Sequence, residues 1–387
     1  MGLPRDLAAG RGPVRHPGHV RDRRAQRDRA VNLPPLVCRS CGREFDVAEL
    51  VWSCPCGGLF DVTAAWQPVV DPSITLGEGN TPIVPSRTLP DARFKLEFLS
   101  PTLSFKDRGA AVLASLAAQL GVGKAVVDSS GNAGTAAAAY FARAGIDCQV
   151  LVPASTSPEK LAQIRAHGAE LTLVPGSRAA AAEAAAQIAD QPGVFYASHV
   201  YHPYFIHGVK AYGYEIWRQN GDSLPSAVLV PVGNGTLLLG CYLAFSELVA
   251  AGHADRLPAL VAVQAAGCAP LAAAWHGPEC AADYTTAPTV AEGIAITAPP
   301  RADQILAAVR DSGGTIVTVD DDAVIAGRRT LAQSEGLFVE PTAAVCYAAA
   351  SGAASRTGPG WPLVRELLAN GDVVIPLCGA GLKHPGE

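Results

Sequence analysis

The 387-residue chain has no apolar run near the roughly 18 residues that a membrane span needs, which excludes a helical membrane protein. It has no surplus of positive charge. Its formal net charge is -5, so nothing draws the chain as a whole to nucleic acid or to an anionic membrane. It also lacks the cysteine framework of a small secreted domain. Of ten cysteines only four cluster, while Cys148, Cys241, Cys268, Cys280, Cys346 and Cys378 stand singly, mostly within apolar segments. That usage suits a reducing, cytoplasmic setting. Charge is sparse at 17% and hydrophobic content is 49%, a balance that fits a well-buried enzyme of two or three domains.

Residues 1–32 lack serine and any hydrophobic segment, which argues against both an organelle transit peptide and a secretory signal. What they do hold is arginine, at positions 5, 11, 15, 21, 23, 24, 27 and 29. This stretch reads as a disordered tail, or as translated upstream sequence, with nucleic-acid binding as the alternative.

The four clustered cysteines come next. Cys38-x-x-Cys41 is followed, after a dozen residues, by Cys54-x-Cys56 and then Gly57-Gly58. Two such pairs suit two knuckles closing on one zinc ion, and four thiolates with no spare position make a structural site. Pro55 stiffens the second knuckle. Four reduced thiols without metal are the alternative.

Lys106 is the most informative residue of the chain. It lies in Ser104-Phe105-Lys106-Asp107-Arg108-Gly109, between a strand expected over Arg93–Phe98 and an alanine-rich helix expected over Ala110–Leu120. Ser104 and Asp107 form an S-x-x-D start signal, which puts Lys106 in the first helical turn. The positive end of the helix dipole disfavours a second positive charge there, so the amine should lose its proton easily, as a Schiff-base lysine must. A surface lysine is the plainer reading, but first turns prefer acids.

Beyond Lys124 strands and helices alternate. Strands are expected at Ala125–Asp128, Cys148–Val152, Glu170–Val174, Ala227–Val232 and Val373–Leu377. Helices are expected at Ala133–Ala144, Glu159–His167, Arg178–Ala189 and Leu237–Ala250. This rhythm predicts an α/β fold of open, mostly parallel sheets with helices on both faces, where ligands lie beyond the carboxyl ends of strands. Three loops occupy that position. Gly233-Asn234-Gly235-Thr236 offers backbone N–H groups and a helix start to an anion. Ser129-Ser130-Gly131-Asn132 is a second nest, suited to a carboxylate. Cys378 closes the last strand. Each alone has an ordinary structural reading: a tight turn, an N-cap, a buried cysteine.

Together these features resemble pyridoxal-phosphate enzymes of fold type II, the tryptophan-synthase-β type, and among them the threonine synthase family. The matching stretches are Gly77-Glu78-Gly79-Asn80-Thr81-Pro82, Ser104–Gly109, Ser129–Gly134, Pro231–Gly235 and Glu340-Pro341-Thr342, and the resemblance runs from about Leu36 to Lys383. Beyond the tail 1–32 it implies a zinc-ribbon-like segment 33–66 and a pyridoxal-phosphate-binding body 67–387 whose smaller lobe spans roughly 110–205. It implies a lyase or synthase that removes a leaving group at Cβ or Cγ of an amino acid, with a homodimer as the family habit. By resemblance, Lys106 carries the cofactor as a Schiff base and then moves protons. Gly233, Asn234, Gly235 and Thr236 hold its phosphate, Asn132 meets its ring hydroxyl, and Cys378 faces its ring nitrogen. Ser129, Ser130, Gly131 and Thr81 bind substrate. A non-catalytic cofactor carrier built on the same fold is the competing class.

Cys378, where family members commonly use a hydroxyl, is a modest departure from the family pattern, and one stretch departs further. Where threonine synthases carry an arginine for the substrate's phosphate, this chain has Phe205, and an asparagine–serine pair becomes His199-Val200. An aromatic ring cannot replace a bidentate guanidinium against a dianion. Histidines 199, 202 and 207 could supply some charge, with a structural role for each as the alternative. The expectation is therefore open between threonine synthase acting on O-phospho-L-homoserine and a close paralogue acting on another amino acid, phosphorylated or not. Ala291-Glu292-Gly293 resembles serine and threonine dehydratase-like members and assigns Glu292 to the pocket wall.

Overall fold

Runs of Val, Leu, Ile and Ala without polar alternation cannot face water on either side, so they end in sheets covered on both faces. The computed structural model describes residues 33–62, 65–277, 285–355 and 357–383. The arginine-rich stretch 1–32 and Cys280 lie outside these. β1 (Leu36–Cys38), β2 (Glu44–Phe45) and β3 (Phe60–Asp61) form a small antiparallel sheet that carries the cysteine pairs.

β4 (Ile83–Pro85) and β5 (Ala92–Lys95) belong to a six-stranded sheet. β6 (Lys124–Val127), β7 (Asp147–Pro153), β8 (Glu170–Val174) and β9 (Val194–Tyr196) form a separate parallel sheet in the order β8-β7-β6-β9. β10 (Ala227–Pro231), β11 (Ala259–Ala265), β12 (Thr315–Val319) and β13 (Val373–Pro376) complete the larger sheet, ordered β12-β11-β10-β13-β5-β4. That sheet is parallel except for β4 at its edge. Every residue of β10 and β11 is buried. Among the described residues no helix is long and apolar enough to cross a membrane.

The helices follow from alanine-rich composition and local stops. Arg178–Ala189 is mostly alanine, the residue with the highest helix propensity, and the Ser177 hydroxyl accepts from the Ala180 N–H at its start. Asn132–Ala144 ends on Gly145, whose φ of 68° supplies the left-handed C-cap.

Two local expectations are corrected. The strand near Lys95 does not reach Phe98. β5 stops at Lys95 and a 3-10 turn, Glu97–Leu99, follows, because Glu97 is fully buried in a pair with Arg108. The helix over Lys106–Gln119 does start where expected, but Ser104 and Asp107 do not build a cap. Asp107 turns back to accept from the Thr102 N–H at 2.6 Å and from the Thr102 hydroxyl, and the Ser104 hydroxyl is enclosed without a partner.

Candidate active site

Three chain segments meet at the carboxyl end of the large sheet. The helix Lys106–Gln119 begins there, because Phe105 donates its N–H to the Cys378 carbonyl (3.1 Å) just beyond β13. The helix Thr236–Ala250 begins beside it, after the turn that leaves β10. Lys106 Nζ donates to Thr236 Oγ1 at 3.0 Å and lies 4.4 Å from the centre of the Phe105 ring. Burial lowers the Lys106 pKa to about 8, although the neighbouring Cys378 and Glu340 pull it the other way. The amine is depressed in the expected direction, but the cause is desolvation rather than the helix end.

The turn Gly233–Gly235 is glycine-rich for steric reasons. A Cβ at Gly233 would lie 2.8 Å from the Ile294 Cα, and Gly235 sits at a φ of 74° against Ile305. The first amides of the Thr236 helix have no carbonyl one turn back, so they face forward as donors. Cys378 is buried, and its thiol pKa is pushed well up by burial. It stays neutral.

Across the cleft stands the smaller sheet. The loop Ser129–Gly131 leads from β6 into the Asn132 helix, and the Ser129 hydroxyl accepts from the Gly131 N–H. Asn132 is held at both ends: its Nδ2 donates to Glu340 at 3.0 and 3.1 Å, and its Oδ1 accepts from Lys383 Nζ at 2.9 Å. Sequence reasoning gave Glu340 and Lys383 no role; the signal for Glu340 was its place in the family-like stretch Glu340-Pro341-Thr342, and Lys383 stood only at the end of the resemblance.

Phe205 is buried on the helix Pro203–Val209, its ring centre 5.7 Å from Lys106 Nζ. His199 meets Phe205 edge-on (ring centres 5.9 Å apart), and its Nε2 lies 3.4 Å from Asn234 Nδ2. Burial and the charge of Lys106 push the His199 pKa well down. Burial likewise lowers His202 to about 3 and His207 to about 4. Burial thus disfavours the charged form of all three, which favours a structural role for them over a supply of charge.

Two further assignments change. Thr81 does not offer its hydroxyl to the cleft. It donates to Glu97 at 2.6 Å inside a buried ion network. There Arg108 bonds Glu97 at 2.7 and 2.8 Å and Glu215 at 2.7 Å through two nitrogens, and Lys95 reaches Glu215 at 2.7 Å. Glu292 stands on the cleft rim rather than deep in its wall, paired with Lys160 of the opposite lobe.

The cysteine quartet forms a second centre. The sulfurs of Cys38, Cys41, Cys54 and Cys56 all lie within 4.8 Å of one another. Gly58 must lack a side chain, because a Cβ there would stand 2.5 Å from the Cys38 sulfur. The same segment props the Phe205 helix: the Tyr204 hydroxyl donates to the Pro34 carbonyl at 2.6 Å, and Trp66 packs on the Tyr204 ring at 4.5 Å.

Comparison with known proteins places the chain in one family. Residues 74–379 match the family described as pyridoxal-phosphate dependent enzyme. The chain is 31% identical to a threonine synthase of Methanocaldococcus jannaschii, covering 90% of this chain and 92% of that one. It is 33% identical to a threonine synthase of Mycobacterium leprae, over 83% and 85% of the two chains. Among solved structures it resembles the T.th. threonine deaminase, with a TM-score of 0.62 and 25% identity over 78% of this chain and 92% of that one. It shares its fold with an L-serine ammonia-lyase of Rhizomucor miehei, with a TM-score of 0.65 and 22% identity over 78% and 93%.

Proposed function

The chain belongs to the pyridoxal-phosphate dependent enzymes of fold type II and, within them, to the family of threonine synthases and their close paralogues, and on that footing we propose that its amino-acid substrate carries a leaving group without phosphate. Family membership makes it a pyridoxal-phosphate-dependent lyase or synthase acting at Cβ or Cγ. The observation that carries the proposal is the pair Phe205 and His199 beside Lys106, an aromatic ring and a neutral imidazole where a dianion would need fixed positive charge.

The cleft fits the cofactor. Lys106 has an amine of lowered pKa within reach of Thr236, and the Gly233–Thr236 turn presents helix-start amides where Cβ atoms would clash. In this reading those amides hold the phosphate, Asn132 meets the ring hydroxyl and Cys378 faces the ring nitrogen. When bound, pyridoxal phosphate supplies a conjugated ring that takes up the electron pair released at the substrate's α-carbon. Lys106 takes the proton from that carbon and returns one farther along the side chain. An amine with a pKa of about 8 can do both near neutral pH. Ser129, Ser130 and Gly131 grip the substrate's carboxylate. The neutral Cys378 thiol fixes no proton on the ring nitrogen, which favours elimination and replacement over transamination.

A second reading, an ammonia-lyase that releases an α-keto acid and ammonia from serine or threonine, draws on Glu292 before Gly293 at the rim and on the resemblance to threonine deaminase. We also infer a structural zinc at Cys38, Cys41, Cys54 and Cys56, and a cytoplasmic homodimer. The test is a titration of the cofactor-loaded enzyme with O-phospho-L-homoserine, L-homoserine, L-serine and L-threonine, following the visible absorbance together with phosphate, keto acid and ammonia. A spectral response and turnover confined to unphosphorylated amino acids is the expected result. Phosphate release from O-phospho-L-homoserine at enzyme-like rates would make this a threonine synthase in the strict sense and end the proposal.

A further inference from the structure

We propose that Glu340 and Lys383 are positioning residues: together they clamp the Asn132 carboxamide in one orientation, across the cleft, so that it can offer an N–H to the cofactor's ring oxygen. The inference rests on the assignment of Asn132 to the cofactor and goes beyond it by naming what aims that side chain.

The geometry determines the orientation. An asparagine amide can usually be turned end for end without cost, because its oxygen and nitrogen look alike to their surroundings. Here they do not. A carboxylate can only accept and an ammonium can only donate. With Glu340 on one side at 3.0 and 3.1 Å and Lys383 on the other at 2.9 Å, the nitrogen must face Glu340 and the oxygen must face Lys383. Turning the amide over would set an N–H against an ammonium and a carbonyl against a carboxylate. Both bonds involve a charged partner, which makes them stronger than neutral ones.

The clamp is also built from the cleft itself. Glu340 is buried at the N-cap of the helix Pro341–Ser351, and its N–H donates to the Gly379 carbonyl at 3.0 Å. Gly379 follows Cys378, and a Cβ there would collide with the Glu340 carboxylate, so glycine is required for the acid to reach Asn132. Asn132 begins the helix of the opposite lobe. Lys383 closes the loop beyond β13. Glu340 and Lys383 reach Asn132 from 208 and 251 residues farther along the chain.

The chemistry suits a ring oxyanion. Asn132 Nδ2 has two hydrogens. Glu340 engages the nitrogen from one side, which leaves a second N–H for an oxygen acceptor. The flipped amide would instead present a carbonyl, which repels an oxyanion.

The test is a set of single and double variants read by equilibrium binding of pyridoxal phosphate and by the position of the bound absorbance band, with thermal unfolding of the cofactor-free chain as a control for folding. Lys383→Met and Glu340→Gln should each weaken cofactor binding roughly ten-fold or more and shift the band, as loss of a charge-assisted bond predicts. Neither should add to the loss in Asn132→Ala, because all three changes remove the same contact. Lys383→Arg, which keeps a cationic donor, should recover part of the affinity. Losses that persist undiminished in the Asn132→Ala background would overturn the clamp while leaving the Asn132 assignment intact. Unchanged binding and an unshifted band in Asn132→Ala itself would overturn both. If Glu340→Gln fails to fold, Lys383→Met decides alone, since its residue lies on the last turn of the chain described.

Discussion

The ring of Phe205 lies directly over the Cα of Gly109: a Cβ at that position would stand 2.5 Å from the ring carbons. Gly109 is three residues past Lys106, so the missing side chain is what admits an aromatic wall beside the reactive amine. Gly109→Ala should destabilise the protein by about 1–3 kcal/mol through overpacking. Phe205→Leu introduced alongside should recover part of that loss, since a branched aliphatic chain can yield where a ring cannot. Urea unfolding of the two variants and the double variant measures this. Additive losses would show that the two positions do not share one space.

Cofactor capture should titrate with Lys106. Only the neutral amine can attack the cofactor's aldehyde, and burial sets its pKa at about 8 instead of 10.5. The rate of appearance of the visible band, from chain freed of cofactor, should rise through pH 8 and level off by about pH 9. Lys106→Ala should bind the cofactor without forming the band. A rate still climbing toward pH 10.5 would mean that the amine is solvated and that its enclosure has no chemical effect.

The β/α rhythm was readable because parallel strands buried on both faces carry unbroken apolar runs, as Ala227–Pro231 does, and because Arg178–Ala189, mostly alanine, forms a helix over the expected residues. Cofactor loops were readable where glycine is a steric necessity, as at Gly233 and Gly235. What the sequence hid are polar partnerships made at long range. Thr81 looked like a substrate ligand because its loop is family-like, yet its hydroxyl serves Glu97. Lys95 and Glu97 lie in the strand expected over Arg93–Phe98, and nothing local shows that both are buried, Lys95 paired with Glu215, 120 residues on, and Glu97 with Arg108. Asn132 revealed its loop but neither of its partners. Charge that pairs across a fold leaves no local pattern, whereas packing and turns do.

The Arg108 network should dominate acid stability. Burial alone would raise the Glu215 pKa, but Arg108 and Lys95 hold it down at about 2, below its ordinary 4.5. Its folded pKa is depressed, so its contribution is complete above about pH 4.5 and is lost as pH falls through about 2. Glu215→Gln leaves Arg108 and Lys95 facing Glu97 alone and should cost about 3–5 kcal/mol at pH 7. The gap between wild type and variant should narrow steadily below pH 4.5. A gap that does not change with pH would place the loss in packing rather than in charge.

The cysteine quartet should hold zinc, and its loss should be felt at Phe205. In a tetrahedral site with Zn–S bonds of about 2.3 Å the sulfurs stand roughly 3.8 Å apart. Here the pairs Cys38–Cys56, Cys41–Cys54 and Cys54–Cys56 are 3.5, 3.6 and 3.4 Å apart, near that spacing. Protein purified without chelator should contain a single zinc ion per chain. Stripping the metal, or Cys54→Ser, should lower the melting temperature. It should also weaken substrate binding more than cofactor binding, because Pro34 and Trp66 of that segment brace Tyr204, the neighbour of Phe205. Metal-free protein that melts at the same temperature, with four thiols reacting freely, would mean that the quartet is a cluster of reduced cysteines and that packing alone supports the helix. Zinc with no effect on substrate binding would separate the metal from the site and leave the brace to Tyr204 and its two contacts.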